Sequence, residues 1–205
     1  MNRLFIVLGV VVAISWACPL HAETHLSSAM GYQVDVPSGW KALDLQKIKT
    51  QPKLLESAVA EANEGAWKTA NNNLTKNVRD MVSAGKVEYF ASSQYPDSTI
   101  TVNQVQGNLP MTEAEVLKVC ESVPGELTQM VGRTMQVYKC QAGTVAGSNT
   151  LFLAADAYMQ NQKSFQYEIQ KSPNQILVFT ANCPDQNCEV VHKDLLTMVD
   201  SIRLK

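Results

Sequence analysis

The densest chemistry in the chain is Cys183-Pro184-Asp185-Gln186-Asn187-Cys188-Glu189 with His192 close behind. His192 follows Cys188 by four residues, one helical turn, so the two side chains can point the same way. Two thiolates, an imidazole and the Asp185 carboxylate form a donor set that would suit zinc. A second arrangement uses the same residues without a metal. Cys-x4-Cys is longer than the Cys-x2-Cys spacing of redox and zinc motifs, and an oxidising compartment removes thiolates by pairing them. The preferred reading is a Cys183–Cys188 disulfide tying the last strand to the start of the last helix. In that reading Asp185 or Asn187 caps the helix and His192 lies on its solvent face. No metal is therefore assigned, with Cys183, Cys188, His192 and Asp185 as the alternative ligand set.

Hydrolytic chemistry would rest on the same histidine. There is no Gly-x-Ser-x-Gly elbow, no phosphate-cradling glycine loop with its lysine and no His-Glu-x-x-His. An enzyme would have to place His192 with Asp185 or Glu189 in a pocket, since His25 lies too near the start of the exported chain to be well placed. No catalytic residue and no cofactor is assigned.

The compartment is read from the N-terminus and the cysteines. Arg3, the apolar run Leu4 to Ala17, and Cys18-Pro19-Leu20-His21-Ala22 have the three parts of a secretory signal. The run is shorter than the ~20 apolar residues that span a bilayer. The expectation is a signal peptide over residues 1–22, a single domain over 23–205, and a periplasmic or secreted product. The alternative is a lipoprotein anchored through Cys18, whose preceding Ser15-Trp16-Ala17 lacks the usual aliphatic residue. Cleavage takes Arg3 and no acid, so 17 basic and 19 acidic residues become 16 and 19, a net charge of −3. That balance has no basic stripe for nucleic acid, and no later run is long enough for a stable membrane span. Of five cysteines, Cys120, Cys140, Cys183 and Cys188 remain, an even number. Four cysteines allow three pairings. Proximity in the chain favours Cys120 with Cys140 and Cys183 with Cys188.

The elements that would position these residues follow from periodicity. Tyr32, Val34 and Val36 alternate with Gln33 and Asp35, a half-buried strand that Pro37-Ser38-Gly39 ends and Trp40, a core plug, follows. Apolar residues at spacings of three and four from Leu55 to Val82 predict one or two helices between Pro52 and Gly85. Val87 to Ala91 and Thr99 to Val105 predict a hairpin, and Thr112 caps a helix that Pro124-Gly125 should end. Four strands follow: Thr134 to Cys140, Asn149 to Tyr158, Ser164 to Gln170 and Gln175 to Thr180. Ile176-Leu177-Val178-Phe179 does not alternate and should be buried on both faces, central in its sheet. A last helix runs from Cys188 to Leu204. The order gives an α+β fold with a mainly antiparallel sheet.

The motif Val36-Pro37-Ser38-Gly39-Trp40, the late meander of strands and the final helix ending in Asp200-Ser201-Ile202 resemble the PsbP-like superfamily. That superfamily includes the DcrB-like envelope lipoproteins of bacteria and a Ran-binding nuclear import factor. The resemblance implies an α/β/α sandwich, a sheet flanked by helices, used mostly as a binding or assembly accessory with no shared catalytic residue. It does not explain the four cysteines. The function expected is that of a non-catalytic envelope accessory holding an envelope protein or a small ligand. Tyr95-Pro96 and the Gly143 to Gly147 loop are candidate contact points, and a periplasmic enzyme or metal-binding protein using Cys183, Cys188 and His192 is the alternative.

Overall fold

A computed structural model describes residues 24–42 and 87–205. The signal segment, Cys18 and the helical stripe of residues 52–85 lie outside the described residues.

Two antiparallel sheets are formed. The smaller contains β1 (Thr24–Ser27), β2 (Tyr32–Val36) and β10 (Arg203–Leu204), in the order β1-β2-β10. The larger contains β3 (Trp40–Ala42), β4 (Val87–Ser92), β5 (Thr99–Gln106), β6 (Val137–Val145), β7 (Ser148–Asp156), β8 (Gln162–Ser172) and β9 (Gln175–Pro184). Its order is β3-β4-β5-β9-β8-β7-β6. Two helices accompany them among the described residues, α1 (Glu113–Val131) and α2 (Cys188–Asp200).

Alternation along β2 buries Tyr32, Val34 and Val36, and Gly39, at a φ of 88° that favours glycine, turns the chain back into Trp40. Trp40 is buried in the main core and donates its Nε1–H to Asp194 Oδ2 at 2.8 Å, which joins β3 to α2. β9 is the fourth of seven strands. Leu177 and Phe179 face α2, whose Val191, Leu195, Met198 and Val199 complete the main core. Ile176 and Val178 face the other way and pack with Leu109 and Leu151 against Val116 and Val119 of α1. Burial of one such Leu, Ile or Phe side chain is worth about 1.5–3 kcal/mol.

Three expectations are corrected. The α1 helix does not stop at Pro124-Gly125. Proline removes one backbone bond, but this stretch is exposed or half-buried, so water can satisfy the freed carbonyl. The helix runs on to Gly132, whose φ of 76° and N–H to the Thr128 carbonyl (2.9 Å) end it. The last helix stops at Asp200 rather than Leu204. Ser201 Oγ accepts the Asp35 N–H at 2.9 Å, and Arg203 and Leu204 then pair with β2. His25, expected to be poorly placed near the start of the exported chain, lies in β1, with Nδ1 at 2.9 Å from Asp35 Oδ1.

Candidate functional site

Cys183 on β9 and Cys188 at the start of α2 are disulfide-bonded, with their Cα atoms 5.2 Å apart. Both are buried. Asp185 sits in the intervening 3-10 turn, its side chain 69% exposed, with Oδ1 3.1 Å from Lys163 Nζ. Neither Asp185 nor Asn187 caps α2 through its side chain.

His192 is also not on a solvent face. It is half-buried and stacks on Phe165 with ring centres 4.3 Å apart and planes 8° apart, with Phe152 5.5 Å away on the same aromatic face. Its Nε2 lies 3.0 Å from Tyr167 Oη. Phe165 and Tyr167 are on β8, so the alternation of that strand builds the aromatic face and the four-residue step from Cys188 brings the imidazole onto it. Burial, and secondarily the Lys139 ammonium, holds the His192 imidazolium below its usual pKa. Burial also pushes the Tyr167 phenol up to about 12. The imidazole serves as the last member of an aromatic stack, and neither Asp185 nor Glu189 hydrogen-bonds it among the described residues. No three His, Cys, Asp or Glu side chains gather as a metal-binding group among those residues either.

The other disulfide joins Cys120 on α1 to Cys140 on β6, with Cα atoms 5.6 Å apart. Thr112 starts this helix with a reciprocal cap: its Oγ1 accepts the Glu115 N–H at 3.3 Å and its own N–H reaches Glu115 Oε2 at 2.9 Å. Those contacts, with a further bond from Met111 N–H, hold the Glu115 carboxyl below its ordinary pKa. No residue of α1 is fully buried.

Between α1 and the β6–β7 hairpin lies a groove of about 470 Å³. Val116, the Cys120–Cys140 disulfide and Ala142 line its floor, and Met111, Glu113 and Leu117 its rim. Met111 is 71% exposed and Leu117 60%, among the largest apolar exposures in the described chain. An apolar channel with large apolar side chains left in water is the usual mark of a contact surface. Of the contact points expected from sequence, Gly143 to Val145 are the end of β6 rather than a loop, only Ala146-Gly147 forming the turn, and Gly143 lines this groove, whereas Tyr95 is half-buried and packed on the main core. The signal that could have located the groove is Leu117, an apolar residue off the Val116-Val119-Cys120 stripe.

A second hollow, of about 350 Å³, is polar and lined by Arg133, Tyr138, Asp156, Lys163 and Asp185. Its groups already satisfy one another. Tyr138 donates to Asp156 Oδ1 at 2.5 Å and the Gln136 N–H to Oδ2 at 2.9 Å, while Lys163 pairs with Asp185 and lies over the Tyr138 ring. The Tyr138 hydrogen bond holds the Asp156 carboxyl below its usual pKa, and the same bond raises the phenol.

No protein-family model matches the chain, and no curated protein sequence matches it. Among solved structures, the solution structure of cyanobacterial PsbP (CyanoP) from Synechocystis sp. PCC 6803 is similar at a TM-score of 0.55 and 12% identity, covering 97% of this chain and 99% of that one. The Ran-binding protein Mog1p of Saccharomyces cerevisiae is similar at a TM-score of 0.48 and 11% identity, over 89% of this chain and 96% of that one. The immunity protein TplEi of the Pseudomonas aeruginosa T6SS is similar at a TM-score of 0.45 and 11% identity, over 89% and 98%. With its mainly antiparallel sheets, the two described helices and the end-to-end match to CyanoP, the chain has a PsbP-like fold.

Proposed function

We propose that this chain is an exported, non-catalytic binding or assembly accessory of the bacterial envelope, of the DcrB-like kind, and that it holds a protein partner in the groove between α1 and β6. In this reading residues 1–22 are a removed signal and residues 23–205 a single domain in the periplasm or outside the cell. The observation that carries the reading is the groove itself, open to solvent and rimmed by the exposed Met111 and Leu117. Such a shape suits a polypeptide better than a small molecule, which needs most of its surface enclosed. Two disulfides in one small domain fit an oxidising compartment. No described helix is long and apolar enough to cross a membrane.

The test is site-specific photocrosslinking in intact cells of the native host. A photoreactive side chain at Leu117 should give a discrete protein adduct. The same group at Val190, which is 43% exposed on α2, should not. Identical adducts from the two positions, or none from Leu117, would exclude the groove as the contact surface. The recovered chain should begin at Glu23; a retained Met1 or a lipid on Cys18 would overturn export with cleavage after Ala22.

A further inference from the structure

β6 is the last strand of the seven-stranded sheet, and among the described residues it pairs with β7 alone. The hairpin determines which of its backbone groups are engaged. Ala146 and Gly147 join the strands with φ of 50° and 76°, the mirror-image two-residue turn that suits twisted strands. The flanking pair Val145 and Ser148 face each other, and in such a hairpin that pair exchanges both hydrogen bonds. Bonded positions then alternate back along β6 through Gly143 and Gln141. The N–H and C=O groups of Thr144, Ala142 and Cys140 therefore point out of the sheet.

Soluble proteins blunt such an edge with lysine, proline or a bulge. Here the irregularity lies between Val137 and Lys139, and from Cys140 to Val145 the strand is regular and uncharged. Cys140 and Ala142 direct their side chains into the groove, so a strand added to β6 would place alternate side chains beside Leu117.

Charge selects the occupant. Glu113, Leu117 and Glu121 are exposed and fall at intervals of four on one ridge of α1, and the whole helix carries four glutamates and one lysine. A second copy of this chain would pair its β6 antiparallel about a two-fold axis perpendicular to the sheet. That would set two acidic α1 helices side by side on one face. A segment bearing Lys or Arg meets the same ridge with attraction.

We propose that β6 takes up an extended segment of a partner protein as an eighth strand. The segment bonds backbone to backbone at Cys140, Ala142 and Thr144, lays alternate apolar side chains in the groove below Leu117, and meets Glu113 and Glu121 with basic side chains. The proposal rests on the binding reading above and specifies the partner's chemistry at that groove. Strand addition of this kind draws affinity from main-chain bonds and specificity from alternate side chains.

The experiment uses isotopically labelled mature protein and synthetic peptides of about nine residues. Valine alternates with threonine, with lysine at both ends in one peptide and glutamate in its counterpart. The lysine-ended peptide should shift and protect the amides of Cys140, Ala142 and Thr144. The glutamate-ended one should bind up to about tenfold more weakly, with the difference shrinking in high salt. Ala142→Pro removes an outward donor without touching the β7 ladder and should abolish binding while both disulfides still form. Thr144→Pro is the second variant should that one fail to fold. Shifts at Leu117 and Met111 without protection on β6 would overturn strand addition and leave the groove reading standing, whereas loss of the Leu117 crosslink in cells would remove the groove reading itself. Absence of binding at millimolar lysine-ended peptide would overturn the proposal, and so would self-association that Ala142→Pro disrupts.

Discussion

Glu88 is a carboxyl group enclosed where the two sheets meet. It accepts hydrogen bonds from Tyr32 Oη and, at 2.6 Å, from Ser28 Oγ, which in turn accepts the Met30 N–H at 2.9 Å. Burial first, and the neighbouring carboxylate second, push the Tyr32 phenol far above its ordinary pKa, so it stays a donor at every working pH. Tyr32→Phe keeps the packing but deprives a buried acid of a donor, and should destabilise the fold by about 1–3 kcal/mol in urea titrations. His192 gives a pH effect of opposite character. Its folded pKa lies below the unfolded value of about 6.5, so between the two the unfolded chain holds more protons. Stability is therefore fully present above about 6.5 and declines as pH falls through that window. Melting temperatures from pH 7.5 to 5 should fall in the native chain, and His192→Phe, which keeps a ring on the stack, should flatten the slope. This stack was not legible in the sequence. The alternation of Phe165 and Tyr167 is plain, but nothing local says which helix face will lie over them.

α1 is a helix held by its cap and by sulfur more than by its own burial. A 20-residue separation between Cys120 and Cys140 corresponds to about 3 kcal/mol on the loop-entropy model, against about 2 for the 5-residue separation of Cys183 and Cys188. Cys120→Ser with Cys140→Ser should therefore be the more damaging pair. Hydrogen exchange in α1 should accelerate while β9 stays protected, because Leu177 and Phe179 are fixed by the main core on the other face. Equal acceleration in both elements would show instead that helix and sheet open as one unit. The helix start was legible because the cap is local: Thr112 and Glu115 are three residues apart. Its end was not, since Pro124-Gly125 reads as a terminator unless one knows that the stretch lies at the surface. The groove was hidden for a related reason. Leu117 looks ordinary until the strand beside it is known to be the last of its sheet among the described residues.

At the scale of the whole molecule, what could be read from the chain were patterns longer than a few residues. The unbroken run Ile176 to Phe179 required burial on two sides, and β9 lies mid-sheet between two apolar clusters. The four late strands follow one another across the sheet as the meander expected of them. β1 and β10 escaped notice because a strand of two to four residues has too little periodicity to detect, and its partner is remote. Arg203 pairs with Gln33, and the Lys205 N–H reaches the Gly31 carbonyl at 3.0 Å. This clasp sets an order of assembly for a chain made from its amino end. β2 is present early yet stays without one of its neighbours until residues 203–205 follow, so the small sheet cannot close until β10 is in place.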